Sequence, residues 1–319
     1  RVILSAAGVA PEAPSIDDAY VQRLRKLAAD FPHQARWLLL AFDHALDDQG
    51  RKRPEWATFH VPNAHAQRVA AAHPGRFDWA CSVHPYRPDA LARLDAALAG
   101  GARACKWLPS AMNIDLRDAR LRPFYERLAR SDTPLIVHCG EERAVPGAGR
   151  DALGNPLLVR APLAQGVRVI VAHCASLGQA LDLDQARPGP RPAFELFARL
   201  MDEADGRERL LGDTSAVFQA NRPRAVWRTL LARGDWHARL LHGSDHPLPG
   251  VGPLYRLGPL VSAGLLDAAA VPGLQALRER NPLLFDLVLK RSLRWQGQGF
   301  ADAVFHTASR LRPAATETA

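Results

Sequence analysis

Val169-Ile170-Val171-Ala172-His173 is an apolar run of strand length that ends on a residue able to bind a divalent metal. Three more runs carry such a residue at or near their end: Ala104-Cys105-Lys106-Trp107-Leu108, Leu135-Ile136-Val137-His138 and Leu240-Leu241-His242-Gly243-Ser244-Asp245. Stretches long enough for a helix separate the four runs, and this alternation is typical of a parallel sheet. We therefore expect an α/β fold, a parallel barrel with a metal at its strand ends.

The whole chain contains seven such runs, near residues 37, 77, 102, 134, 167, 209 and 238. A doubly wound sheet is disfavoured because no GxGxxG or Walker sequence follows an early strand. A TIM (β/α)8 barrel needs eight strands, so we expect strand 1 to be absent from this chain and to precede Arg1. We expect one barrel domain over residues 1–319, with 1–35 as a helical lead-in or insertion and 306–319 as a frayed tail.

Composition narrows the class of partner. The chain has 319 residues, 47% of them hydrophobic, and no apolar run approaches the roughly 18 residues that a membrane span needs. The formal net charge is +8, and this positive charge favours a small, anionic substrate. Basic and acidic residues are interspersed along the chain, and this distribution disfavours nucleic-acid binding. No secretory signal is recognised, so a cytoplasmic location is expected, and a homo-oligomer is left open.

The cysteines give an orientation for the strands. They are Cys81, Cys105, Cys139 and Cys174, none in a CxxC motif, so we interpret them as buried thiols and not as a disulfide framework. Side chains alternate between the two faces of a strand. If Lys106, His138 and His173 face the barrel mouth, the cysteine beside each of them faces the surrounding helices.

Two histidines and an aspartate form the predicted metal site. A single core histidine is usually a packing residue, and Asp245 alone would be interpreted as a turn residue ahead of a helix. His138 and His173 at equivalent strand ends, with Asp245 at a third, favour a site for a divalent metal ion, Zn²⁺ first, with Mn²⁺ or Fe²⁺ as alternatives. A metal lowers the pKa of bound water, and a carboxylate such as Asp245 can then take its proton.

Four further residues are candidates for supporting roles. Lys106 lies in an apolar strand and either binds an anionic substrate group, carries a carboxylate that bridges two metals, or extends its amine into solvent. Asp213 is placed to orient a ligand histidine or to cap a loop. Glu142 and His84 follow strand ends, and we expect them to face the same mouth and to contact either a metal ligand or the substrate.

These residues occur in motifs that resemble the amidohydrolase superfamily, in the branch that contains aminocarboxymuconate-semialdehyde decarboxylase and other metal-dependent hydrolases and decarboxylases. The motifs are Ser82-Val83-His84-Pro85-Tyr86, Lys106-Trp107-Leu108-Pro109, Pro134-Leu135-Ile136-Val137-His138, Ala172-His173-Cys174 and Gly243-Ser244-Asp245-His246-Pro247. The resemblance implies a (β/α)8 barrel in which His138 is the fifth-strand ligand and His173 is a second ligand or a catalytic residue. It implies that Asp245 is the eighth-strand ligand and proton shuttle, and that Lys106 matches the strand that carries a carboxylated lysine in some members.

The chain departs from this family in one respect: it contains no His-x-His, the motif that supplies two metal ligands at the first strand. Three hypotheses follow. The first is a metal-dependent hydrolase of a C–N or C–O bond in an amide, ester or lactone. The second is a nonoxidative decarboxylase of an unsaturated or aromatic acid, and the third is a metal-free barrel with a binding role.

Overall fold

The computed structural model describes residues 2–57, 59–143, 145 and 149–313. The chain divides into two compact units. We call Arg36–Asp213 with Thr307–Ala319 the strand unit, and Arg1–Ala35 with Thr214–His306 the helical unit. The single-domain organisation expected from the sequence stays a prediction.

The strand unit is built on parallel strands. They are β1 (Trp37–Leu40), β2 (Phe77–Ala80), β3 (Cys105–Trp107), β4 (Leu135–His138), β5 (Val169–Ala172) and, after a hairpin of β6 (Gln179–Leu181) and β7 (Pro190–Pro192), β8 (Leu210–Asp213). Parallel ladders join β1 to β2 and run through β3, β4, β5 and β8 in that order, and a parallel bridge between Cys81 and Cys105 links the two groups. The buried strands read as nearly continuous apolar runs because both of their faces are covered.

The strand register assigns side chains to faces. Lys106 pairs with Ile136, and His138, two residues further along β4, pairs with Ala172. Paired residues of parallel strands share a face, so Lys106 and His138 lie on the same side of the sheet. Trp107 lies on the other side, where its ring packs against Phe124 and Tyr125. The cysteines at 105 and 139 share the face of Trp107, and all four cysteines are buried and outside any disulfide.

Helices separate the strands of this unit. They are α3 (Asn63–Ala72), α4 (Ala90–Ala99), α5 (Pro109–Met112), α6 (Arg122–Arg130), α7 (Arg160–Ala164), α8 (Ala193–Asp202) and α9 (Ala204–Arg209). The first two helices of the chain belong to the helical unit. Phe124, Tyr125 and Leu128 form the buried face of α6. Asn63 is the first residue of α3, and its side-chain amide bonds to the backbone of Ser82.

The hairpin of β6 and β7 has no counterpart among the strands predicted from the sequence. Its base is held by the Asn155 Nδ2 atom, which donates to the Leu181 carbonyl over 2.8 Å. An ion-pair network of Arg160, Arg199, Asp182, Asp184 and Glu203 fixes its tip-side residues to α7 and α8. Ion pairs that share charges in this way constrain a segment more than isolated surface pairs do.

The helical unit contains α1 (Val2–Ala7), α2 (Ile16–Ala28), α10 (Arg224–Ala232), α11 (Gly258–Ser262), α12 (Val271–Arg280) and α13 (Pro282–Ser292). Ser15 caps α2 by accepting from the amide of Asp18, and Asn281 caps α13 in the same manner. The strand predicted near residue 238 begins only at Leu240, as β9 (Leu240–Leu241), because a 3₁₀ helix occupies Gly234–Arg239.

The predicted tail, 306–319, is partly ordered by the strand unit. Arg103 is buried and donates to the carbonyls of Ala308 and Arg312, and Arg168 donates to that of Arg310. Residues 314–319 lie outside the described part of the chain.

Candidate metal and catalytic site

His138 is the last residue of β4, and a carboxylate holds its ring. The Nδ1 atom of His138 lies 3.3 Å from Oε2 of Glu142, and the two side chains are only 8% and 11% exposed. Oε1 of Glu142 accepts from the amide of Val145, which fixes the carboxylate. A proton on Nδ1 that faces Glu142 leaves the lone pair on Nε2 for a ligand, which is the arrangement that metal-binding histidines use.

His173 reaches the same face by a backbone turn. The strand β5 ends at Ala172, which is level with His138, so an extended His173 would have pointed to the opposite face. Instead His173, Cys174 and Ala175 all have positive φ, at 55°, 51° and 49°. This turn brings the imidazole of His173 beside that of His138, with ring centroids 5.3 Å apart and planes inclined by 69°.

Asp213 supports His173 from the end of β8. Its Oδ2 atom lies 3.8 Å from Nδ1 of His173 and accepts from the His173 amide over 3.5 Å. The carbonyl of Asp213 also accepts from the thiol of Cys174 over 3.2 Å. Each of the two adjacent imidazoles therefore has a carboxylate on its Nδ1 side.

Two glycines let the loops after β4 and β5 approach each other. A Cβ on Gly140 would lie 2.5 Å from the Leu177 carbonyl oxygen, and one on Gly178 would lie 2.4 Å from Cβ of Glu141. Both glycines have positive φ, which other residues rarely adopt. The amide of Glu141 can consequently donate to the Leu177 carbonyl over 3.0 Å, which joins the loop that follows His138 to the turn that carries His173.

Lys106 is 4% exposed and shares the face of His138 through the strand register. Its carbonyl accepts from the hydroxyl of Ser82 over 2.8 Å, and that hydroxyl in turn accepts from the amide of Asp43. Such burial keeps the lysine side chain largely out of bulk solvent, whereas a lysine that extends its amine into solvent would be more exposed.

Sequence reasoning missed Asp43, which ties together the loops after β1 and β2. Its carboxylate accepts hydrogen bonds from both Nε and Nη2 of Arg87 over 2.7 Å, and from the backbone amides of His44 and His84. Despite the opposing effect of burial, the bonds from Arg87 and the two amides lower the pKa of Asp43. The available signal was its position: Asp43 follows an apolar run just as His138 does.

His84 is used by the backbone around it. Its Nε2 atom donates to the Met112 carbonyl over 2.7 Å, and its Nδ1 atom accepts from the amide of Tyr86 over 3.2 Å. Burial lowers the pKa of His84 to about 4. Because both ring nitrogens are bonded, we leave His84 out of the proposed metal and substrate contacts.

A polar pocket of about 240 Å³ lies among the loops that follow β1, β2, β3 and β4. Asp48, Tyr86, Arg120 and Arg150 are among its lining residues. The guanidinium of Arg120 stacks on Tyr86 at 4.1 Å, and that of Arg150 stacks on Trp56 at 5.0 Å. The mixture of charges suits a polar ligand group more than an apolar one.

Asp245 belongs to the helical unit, four residues after β9. Its φ is 53°, and its carbonyl accepts from the amide of Leu248 over 2.9 Å. The negative charge of Asp245 contributes to raised pKa values at two tyrosines. Burial and the charge of Asp245 raise the pKa of Tyr20 to about 12, and burial, Asp286 and Asp245 together raise that of Tyr255.

The strand-unit histidines fit a metal ion in the chemistry of their donors: two adjacent imidazoles, each backed by a carboxylate on Nδ1. Within the described residues no group of three or more His, Cys, Asp or Glu side chains is close enough to hold one. The further ligands named from the sequence, Lys106 and Asp245, therefore stay predictions.

Comparisons with known proteins show the fold and the family of this chain. The uncharacterized TIM-barrel protein Bb4693 from Bordetella bronchiseptica is 17% identical, with a TM-score of 0.51 over 89% of each chain. This likeness shows an α/β TIM-barrel fold, as the sequence predicted. The model of the amidohydrolase family matches residues 11–271, and the chain belongs to that family.

Two other solved structures match with lower TM-scores. A Pseudomonas putida protein described as a 2-pyrone-4,6-dicarboxylic acid hydrolase is 21% identical over 66% of this chain and 76% of its own, with a TM-score of 0.42. The 2,6-dihydroxybenzoate decarboxylase from Rhizobium is 15% identical over 58% and 65%, with a TM-score of 0.40. A comparison with curated proteins finds no match.

The family match identifies an enzyme of the amidohydrolase family, whose members are often metal-dependent. In the described part of the chain, no helix is long and apolar enough to cross a membrane.

Proposed function

We propose that this protein is a metal-dependent hydrolase that cleaves a C–N or C–O bond in an amide, ester or lactone with an anionic group. The observation that carries the proposal is the His138–His173 pair, in which each imidazole has a carboxylate beside Nδ1. A carboxylate at this position raises the basicity of the imidazole and fixes the ring that binds the metal. A packing histidine needs no such pairing.

In this proposal His138 and His173 hold a divalent metal ion, with Zn²⁺ favoured by the nitrogen donors. When bound, such an ion makes a water molecule nucleophilic at neutral pH and polarises a carbonyl oxygen. Glu142 and Asp213 keep the protons of the two imidazoles on Nδ1. Asp245 takes the proton of the attacking water and returns it to the leaving group, a role that rests on its motif and the family.

Lys106 supplies the positive charge for an anionic substrate group. It is buried on the face of His138, where a charge is screened less than at the surface. The same charge would suit the carboxylate of a substrate that loses CO₂, so nonoxidative decarboxylation is the second candidate. Incorporation of ¹⁸O from water into the product supports hydrolysis, and release of CO₂ without ¹⁸O supports decarboxylation.

The test begins with metal content. Elemental analysis after supplementation with Zn²⁺ should find bound metal in the parent protein. In a chelator competition, the Zn²⁺ affinity of His138→Ala and of His173→Ala should be lower by at least about tenfold. His65→Ala, a histidine replacement on α3, is the matched control and should bind metal as the parent does.

The loaded protein is then assayed with lactones, esters and amides that carry a carboxylate. Turnover that depends on His138 and His173 supports the proposal. A protein that takes up no metal, or whose turnover is equal in His138→Ala and His65→Ala, contradicts it and favours a metal-free binding role.

A further inference from the structure

A buried ion pair lies beside the segment that carries Asp245. Lys290 and Asp286 are one turn apart on α13, with Nζ and Oδ2 separated by 2.6 Å and side chains 1% and 0% exposed. The same Nζ atom donates to the carbonyl of Gly243 over 2.7 Å. The lysine thus connects a helix to the backbone two residues before Asp245.

Stability alone is a weak reason for such a pair. Burying two charges costs several kcal/mol of desolvation per ion, and apolar replacement of a whole buried pair is often neutral or stabilising. The position of the pair offers a different reason, because its third partner is a backbone carbonyl in an irregular segment.

That segment lacks the support of a strand. The ladder ends with β9 at Leu241, and the amide of His242 donates to the Val304 carbonyl over 2.7 Å. Beyond it the backbone turns, and Asp245 adopts a φ of 53°. A non-glycine residue with positive φ is strained unless its surroundings hold it there.

The neighbouring His242 does not compete with Lys290 for the carboxylate of Asp286. Burial, followed by the charges of Lys290 and Arg291, lowers the pKa of His242 well below its usual value. His242 is therefore neutral, and its Nδ1 atom stays 4.0 Å from Oδ2 of Asp286, further than the ammonium. Asp286 accordingly orients the lysine toward Gly243.

We propose that Lys290, oriented by Asp286, is a positioning residue that fixes the Gly243 carbonyl and thereby the carboxylate of Asp245. The catalytic consequence rests on the proposed function, since it assumes the proton-transfer role of Asp245. The mechanical part does not, because it concerns only the order of the segment 242–248.

The test is the double variant Lys290→Met/Asp286→Leu, which removes both charges and keeps apolar volume. Hydrogen exchange of peptides spanning 242–248 should become about tenfold faster, as expected for loss of a charge-assisted bond, while the global free energy of unfolding stays at or above that of the parent. Arg291→Met is the matched control. It removes the neighbouring cation, which pairs with exposed Asp302, and should leave this exchange within about twofold of the parent.

Asp286→Asn is the second variant. It keeps an oxygen acceptor for the lysine but removes the counter-charge, so exchange of 242–248 should rise less than in the double variant. Unchanged exchange in the double variant overturns the proposal. So does a double variant that fails to fold, because the pair would then be an element of global stability.

Activity provides a separate reading. With a substrate that the parent turns over, the double variant should lower kcat at nearly constant KM, because the substrate still binds while proton transfer is misaligned. A change in KM alone overturns the positioning role. If no substrate is turned over by the parent, the proposed hydrolase function fails, and the exchange measurement still decides whether Lys290 orders the segment.

Discussion

Acid should destabilise this protein through His84, a residue outside the proposed metal set. Its ring is fully buried, and its Nδ1 atom accepts a hydrogen bond from the amide of Tyr86. Protonation at Nδ1 would break that bond and place a charge where it is buried away from water. The folded protein therefore binds a proton at His84 less readily than the unfolded chain does.

The magnitude follows from the two pKa values, about 4 in the folded protein against the ordinary 6.5. Stability from the neutral ring is fully present above pH 6.5 and is lost as the pH falls toward 4, because the unfolded state then binds more protons. Linkage between these values gives a loss of about 2 kcal/mol at pH 5 relative to pH 7.5.

The assay is denaturant unfolding followed by tryptophan fluorescence at pH 7.5 and pH 5, for the parent and for His84→Gln. The glutamine does not titrate, so the parent should lose about 2 kcal/mol more than the variant over this interval. Ser110→Ala, which removes a buried hydroxyl of α5 but no titrating group, should show the pH dependence of the parent. Equal pH dependence in parent and His84→Gln would refute the reasoning.

Four other changes test the site and its surroundings. Glu142→Gln should weaken Zn²⁺ affinity about 10- to 100-fold in a chelator competition, since His138 loses its charged partner, and unchanged affinity would contradict this. Asp213→Asn should weaken it in the same direction through His173, and an increase would argue against the assignment. Asp245→Asn should remove most turnover while thermal unfolding stays unchanged; full activity would exclude its proton-transfer role. Arg160→Met should speed limited proteolysis within the hairpin, and a digestion rate equal to that of the parent would show that the ion network does not hold it.

The strands were predictable because burial on both faces leaves a strong signal. Each of the seven apolar runs contains a strand, and neighbouring runs pair in parallel as their alternation with helices indicates. His138 also lies where its position at the end of such a run placed it. This part of the prediction depends on local sequence alone.

The position of the His173 ring was not predictable in the same way. Alternation along β5 would put His173 on the face opposite to His138, and only the left-handed turn over 173–175 reverses it. That turn is stabilised by contacts between distant residues, such as the thiol of Cys174 on the Asp213 carbonyl. Sequence periodicity carries no information on backbone conformations that tertiary contacts impose.

The buried position of Lys290 was not predictable from the sequence for a related reason. It occupies an ordinary position in a helix with a carboxylate four residues earlier, which usually indicates an exposed i,i+4 pair. Only the structure shows that the pair is buried and that its third partner is a backbone carbonyl.

The hairpin of β6 and β7 offers a practical site for engineering. Residues 181–184 are bonded to Asn155 and to two arginines, whereas residues 185–188 are exposed. Exposed polar tips on anchored supports are where proteins accept inserted sequence. A fluorophore or affinity peptide placed between 185 and 188 would therefore report on the molecule from outside while leaving the histidine pair undisturbed.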